Sequence, residues 1–250
     1  MAKNKVISML MAIVLLLSFT SIGSAQSKPS DKIVVEETIL KAEPDSEQLK
    51  SVKLETFSDG SIKKTITGTV PANQGPVGYT IKVDKDKKTY KATKLDLSKD
   101  PEYTNSATEQ NQVSMFSPLW SKQVKILTYD PVGWDIASTK AILYWYEDGG
   151  YSIYSAGGHG HWAANPSPIN THWYIDVDGS YEDSQPWRNA VGQTAFGSFS
   201  NYDFGDDDDW TYLDQDVSVW GFSNGSIEYT SSDYATGEGS LLLTSSVFVY

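Results

Sequence analysis

Three histidines lie close together in this chain, as His159-Gly160-His161 and, eleven residues later, His172. On an extended strand, residues i and i+2 face the same side about 6.6 Å apart, so His159 and His161 can aim both imidazoles at one ion. If the proline-containing segment 165–170 is the bend of a hairpin, His161 falls opposite His172 and the three rings share a face. The next segment agrees with that register, because Trp173, Ile175 and Val177 form one apolar face and leave His172, Tyr174 and Asp176 on the other. Three His with a fourth position free for water is the ligand set of a catalytic zinc site, where the ion lowers the pKa of its water to about 7. Asp176 or Glu182 would serve as general base. The competing expectation is a surface cluster without metal: Gly157, Gly158 and Gly160 loosen the segment, and a slip of one residue turns a ring away. Such a cluster changes charge between about pH 5 and 8.

Carboxylates are the second group. Asp203, Asp206, Asp207, Asp208, Asp209, Asp214 and Asp216 crowd one stretch, and Asp176, Asp178, Glu182 and Asp183 another. Calcium takes six to eight oxygen ligands, which such loops can supply. In Asp176-Val177-Asp178-Gly179 the glycine comes too early for an EF-hand loop, so Asp178-Gly179 reads as a hairpin turn. The aspartate run before Trp210 also reads as a solvated loop.

Aromatics are the third. In Leu143-Tyr144-Trp145-Tyr146 neighbours point to opposite faces, so either Trp145 or the two tyrosines face outward, and Trp162, Trp173, Tyr174, Tyr181 and Trp187 continue the density. Exposed rings beside Asp, Asn and Gln suit the apolar faces and hydroxyls of sugars. Buried rings would instead fill the core of a sandwich poor in Leu, Ile and Val. The candidate ligand-binding set is Tyr144, Trp145, Tyr146, Trp162, Tyr174, Tyr181 and Trp187.

Two catalytic patterns are set aside. Gly221-Phe-Ser223-Asn-Gly225 matches a nucleophile elbow, but that motif needs a strand followed by a helix, and Asn224-Gly225 reads as a hairpin turn. Paired carboxylates for glycoside hydrolysis have no unique pair among so many acids, with Glu147 and Glu182 the first to test.

The elements that must position these groups follow from composition. The chain has 250 residues, no cysteine and a net charge of −12, which excludes a disulfide scaffold, a Cys-ligated zinc site and a thiol nucleophile. Residues 118–250 hold three Lys, one Arg, eighteen Asp plus Glu, all eight Trp and all three His, whereas residues 26–117 hold fourteen Lys and fourteen acids. Phosphate would be repelled by the acidic half, so no nucleic-acid partner is expected. Residues 1–25, with Lys3 and Lys5 ahead of an apolar run and small Gly23 and Ala25 near its end, read as a signal peptide. No later stretch is long enough for a membrane span.

Residues 26–99 give alternating stretches around two hairpins, one turning at Ser58-Asp59-Gly60-Ser61 and one at 84–88, and read as a small Lys-rich β-module or pro-region. Residues 100–117 read as a linker. Residues 118–250 give eight short strands (124–129, 139–146, 151–155, 171–177, 193–199, 214–221, 226–230 and 241–249) between Gly- and Asp-rich turns. The fold expected is all-β, an antiparallel β-sandwich or jelly-roll C-terminal domain preceded by a small β-hairpin module. Phe222-Ser-Asn-Gly-Ser-Ile repeats Phe57-Ser-Asp-Gly-Ser-Ile, and both are expected to form the same type I′ hairpin turn.

A Lys-led signal peptide, a cysteine-free mature chain and a Lys-rich first segment together resemble exported proteins of Gram-positive bacteria in general. The expected function is a secreted, monomeric extracellular protein that binds a polysaccharide or another cell-envelope component through exposed aromatics, with calcium as its stabilising ion. The alternatives are a metal-dependent hydrolase built on a three-His zinc site, and a secreted toxin or bacteriocin-like protein with a removable pro-region.

Overall fold

The computed structural model describes residues 32–99, 119–168, 172–202, 210–237 and 243–250. The segments read above as a signal peptide (1–25) and a linker (100–117), together with Asp206 to Asp209, lie outside the described residues. Among those described there is no α-helix, and fourteen strands form. The first half gives β1 (Val34–Ile39), β2 (Lys41–Ala42), β3 (Ser51–Phe57), β4 (Ile62–Val70), β5 (Val77–Asp84) and β6 (Thr89–Lys94). The second gives β7 (Trp120–Tyr129), β8 (Asp135–Asp148), β9 (Tyr151–Ala163), β10 (Trp173–Gln185), β11 (Ala190–Asn201), β12 (Thr211–Phe222), β13 (Ile227–Thr236) and β14 (Thr244–Val249). No helix of the described residues is long and apolar enough to cross a membrane.

The strands form a β-sandwich of two seven-stranded sheets. Sheet I runs β1-β3-β4-β13-β12-β11-β10 and sheet II runs β2-β6-β5-β14-β7-β8-β9. All pairs are antiparallel except β2 with β6. The period-2 pattern explains the layering: on β12, Leu213, Gln215, Val217 and Val219 point into the sandwich while Tyr212, Asp214 and Asp216 point out.

The division into a separate module (26–99) and a C-terminal sandwich (118–250) does not hold. β4 pairs with β13 over nine residues from Ile227↔Val70 to Ala235↔Ile62, and β5 pairs with β14. Val52, Leu54, Ile66, Ile81 and Tyr90 share one apolar core with Val124, Leu143, Val217 and Val247. The physical reason is core size: about 70 residues with few large apolar side chains bury little surface alone, and the hydrogen-bonding edges of β4 and β5 are filled by β13 and β14. The composition boundary along the chain becomes a lateral one, with the Lys-rich strands on one side of both sheets and the acidic, aromatic strands on the other.

The two repeated hairpins turn alike, but not as type I′. The amides of Gly60 and Gly225 donate to the carbonyls of Phe57 and Phe222, both at 2.9 Å, and only these glycines take positive φ, 82° and 78°. A type I turn closed by a left-handed glycine in a G1 bulge has this signature, whereas type I′ needs positive φ at both central residues. Asp59 and Asn224 fill the same role, each accepting from the serine amide two residues on at 3.0 Å.

Candidate functional site

The acidic side of the sandwich ends in two edge strands, β9 of sheet II and β10 of sheet I, and both carry an irregularity. β9 skips Ser155 between Tyr144↔Ala156 and Trp145↔Tyr154, and β10 skips Asp176 between Ile175↔Phe199 and Val177↔Ser198. One extra residue reverses the inward and outward alternation beyond it, and such bulges are common at sheet edges and beside functional sites. Beyond Asp176, Asp178 and Ser180 therefore face into the sandwich, where β9 presents His161 and His159.

The resulting cluster differs from the expected one. His161 pairs with Thr139 on β8, not with His172, because β9 belongs to sheet II and Trp173 opens β10 in sheet I. The group of donors lying within 4.8 Å of one another is His159, His161 and Asp178. His172 does not belong to it, and stacks with Tyr174 instead, ring centroids 6.5 Å apart. His161 Nδ1 is 3.4 Å from Asp178 Oδ2, and the His161 side chain is only 3% exposed against 53% for Asp178. Ser180 Oγ is 2.7 Å from His159 Nδ1 and orients that ring. Asp178-Gly179 lies within β10 rather than forming a turn, and Asp176 faces outward, its carboxylate accepting from Ser200 Oγ at 2.9 Å.

Burial lowers the His161 pKa from its usual 6.5, and neighbouring His159 acts in the same direction, while Asp178 and the Phe196 backbone oppose them. The neutral ring keeps one nitrogen lone pair free to accept a hydrogen bond or a metal ion. His161 packs against Gly197 of β11, where an added Cβ would stand 2.7 Å from its Cδ2 and 2.8 Å from Thr139 Oγ1. Gly197→Ala is therefore expected to displace the ring and to cost about 1–3 kcal/mol by overpacking. Chemical denaturation of the purified variant measures that cost, and an unchanged midpoint would contradict this close packing.

The candidate aromatics do not form one surface. Trp145 is fully buried and its Nε1 donates to the Phe222 carbonyl at 3.0 Å, so it cannot stack on a ligand. Tyr144 and Tyr146 flank it, half-buried. Trp162 is exposed on the outer face of sheet II beside Ser138, whereas Tyr174 and Tyr181 are exposed on sheet I. Trp187, 80% exposed, stands in a 3-10 turn after β10.

Sheet I brings together rings that the sequence pattern leaves scattered. Tyr174 on β10 lies opposite Ser200 on β11, which lies opposite Tyr212 on β12. Two strand spacings put the tyrosines about 9–10 Å apart across the outer face. Trp210 stacks on Tyr212 at 6.1 Å and meets Tyr202 at 5.1 Å, and His172 stacks beside Tyr174. Tyr202, Trp210 and Tyr212 were not among the expected residues. Alternation of Tyr212, Asp214 and Asp216 with Leu213, Gln215 and Val217 is the signal that could have exposed Tyr212. The rings lie on the outer face of the sheet, and clefts of about 550 and 380 Å³ lie elsewhere, the first beside Arg188 and Phe222 and the second beside Lys64 and Leu213.

Asp214 sits next along the same face. Burial raises its carboxyl above the ordinary 3.8, with Asp216 and Asp176 adding to the rise and Ser198 and Lys32 opposing it. A raised folded-state pKa contributes stability that is present below the unfolded value and lost as pH rises through the folded one. Asp214→Asn is thus expected to melt higher than wild type at pH 7 and to lose that advantage below about pH 4. Melting curves of both proteins across pH 3–8 provide the check; a lower melting point for the variant at pH 7 would contradict it.

No known protein family matches this chain, and no characterised protein matches it in sequence.

Proposed function

We propose that this is an exported binding protein whose ligand, a polysaccharide or a similar polyhydroxylated envelope component, lies across the outer face of β10, β11 and β12. The observation that carries the reading is the run of exposed rings formed by Tyr174, Tyr212, Trp210 and Tyr202, with Ser200 and Asp176 between and beside them. Rings stack on the apolar faces of sugars, and hydroxyl and carboxylate groups meet their hydroxyls. An outer sheet face suits an extended chain better than an enclosed small molecule, for which a concave pocket is the usual form. The pro-region alternative fits less well, since removing β1 to β6 would strip β13 and β14 of one neighbouring strand each and open the shared core.

Co-sedimentation with insoluble cell-wall polysaccharide, run with calcium and with chelator, tests the proposal. Tyr212→Ala removes a ring contact worth about 0.5–1.5 kcal/mol, so binding should weaken roughly 2- to 12-fold. Trp162→Ala, on the other sheet, should bind as wild type. Equal retention of both variants, or no retention of wild type, would overturn the reading.

A further inference from the structure

We infer that His159, His161 and Asp178 bind one divalent ion of the zinc class, which ties the edge strand of one sheet to the edge strand of the other. The three donors come from two different sheets yet converge within 4.8 Å. His161 Nδ1 and Asp178 Oδ2, 3.4 Å apart, are too far for a strong charge-assisted hydrogen bond of about 2.7–2.9 Å. A tetrahedral ion with arms of about 2.0–2.2 Å spaces its ligands about 3.3–3.6 Å apart, which this distance meets without adjustment. The 3% exposure of the His161 side chain fixes its ring as the floor of the site, and His159 and the half-exposed Asp178 form the rim.

Two further features suit an ion. Ser180 Oγ on His159 Nδ1 is the kind of outer contact that sets a ligating imidazole's orientation. The rim opens to solvent, which leaves the fourth position to water, the arrangement of zinc sites with three protein ligands. Two imidazoles and one carboxylate, with no thiolate, favour zinc and its first-row neighbours over calcium, which takes six to eight oxygens. This site is separate from the aromatic platform, because Asp178 faces into the sandwich and Tyr174 faces out.

The ion binds the folded edge and not the separated strands, so it raises stability by mass action. Protein stripped with chelator and titrated with zinc by calorimetry should bind one ion per chain, and the melting point should rise with zinc. Cobalt in place of zinc should give the visible absorption of a tetrahedral ion. His159→Ala and Asp178→Asn, both at the exposed rim, should fold as wild type and bind zinc at least 10-fold more weakly, without the rise in melting point. His172→Ala should bind as wild type. Absence of stoichiometric zinc in wild type would overturn the inference. So would zinc binding that survives both rim substitutions, or binding lost in His172→Ala.

Discussion

Replacing Trp145 by alanine is expected to lower the melting point by roughly 6–20 °C. The indole is fully buried in the core that both halves of the chain build. It lies 5.7 Å from Trp120, donates to the Phe222 carbonyl, and rests against Gly221, where an added Cβ would stand 2.5 Å from the ring. Removing a buried Trp costs about 3–5 kcal/mol through lost transfer energy and the cavity left behind. For a domain of this size each kcal/mol moves the melting point by about 2–4 °C. The lost indole also leaves the Phe222 carbonyl with the Gly225 amide as its remaining donor at the hairpin turn. Differential scanning calorimetry beside Trp162→Ala measures the difference. The exposed Trp162 should shift stability by no more than about 0.5 kcal/mol, and equal midpoints would contradict the placement of Trp145.

Asp233→Ala is the second large effect, because it leaves a charge in the interior. Lys64 Nζ lies 3.1 Å from Asp233 Oδ2, with the two side chains 10% and 11% exposed. Ser245 donates to the same carboxylate, and Gln215 donates to Thr128 at 2.8 Å, so a polar seam crosses between the sheets. Breaking such a pair by removing one partner costs about 3–5 kcal/mol. The pair borders the 380 Å³ cleft, which lets water reach Lys64 and places the expected cost in the lower half of that range. Replacing both partners, as Lys64→Met with Asp233→Leu, should recover most of the loss, since an apolar pair of similar volume needs no desolvation. Urea unfolding of the single and double variants decides the point. A double variant no more stable than Asp233→Ala would show that the seam matters for more than its charge.

The layering of this fold is legible in the sequence because period-2 alternation reports which face a residue takes. All eight strands expected over 118–250 form, although β8 to β10 extend well beyond their expected ends. Two things stayed hidden. The pairing of β4 with β13 and of β5 with β14 joins residues more than 150 positions apart, and local alternation carries no information about such partners. The Asp176 bulge reverses the face of every residue after it, so Asp178 turns into the sandwich and joins the cluster, while His172, ahead of the bulge, stays beside Tyr174. The spacing of His159 and His161 was sufficient to place both on one face of β9. The aromatic platform was hidden by chain order, since Tyr174, Tyr202, Trp210 and Tyr212 become neighbours only when β10, β11 and β12 align.

Hydroxyl-radical footprinting of the protein with and without bound wall polysaccharide tests the proposed binding face most directly. The account predicts that oxidation of Tyr174, Trp210 and Tyr212 falls on binding, while Trp162 on the opposite sheet and Trp187 at the far end of β10 react as before. Protection of Trp162 with no change at Tyr174 and Tyr212 would contradict it.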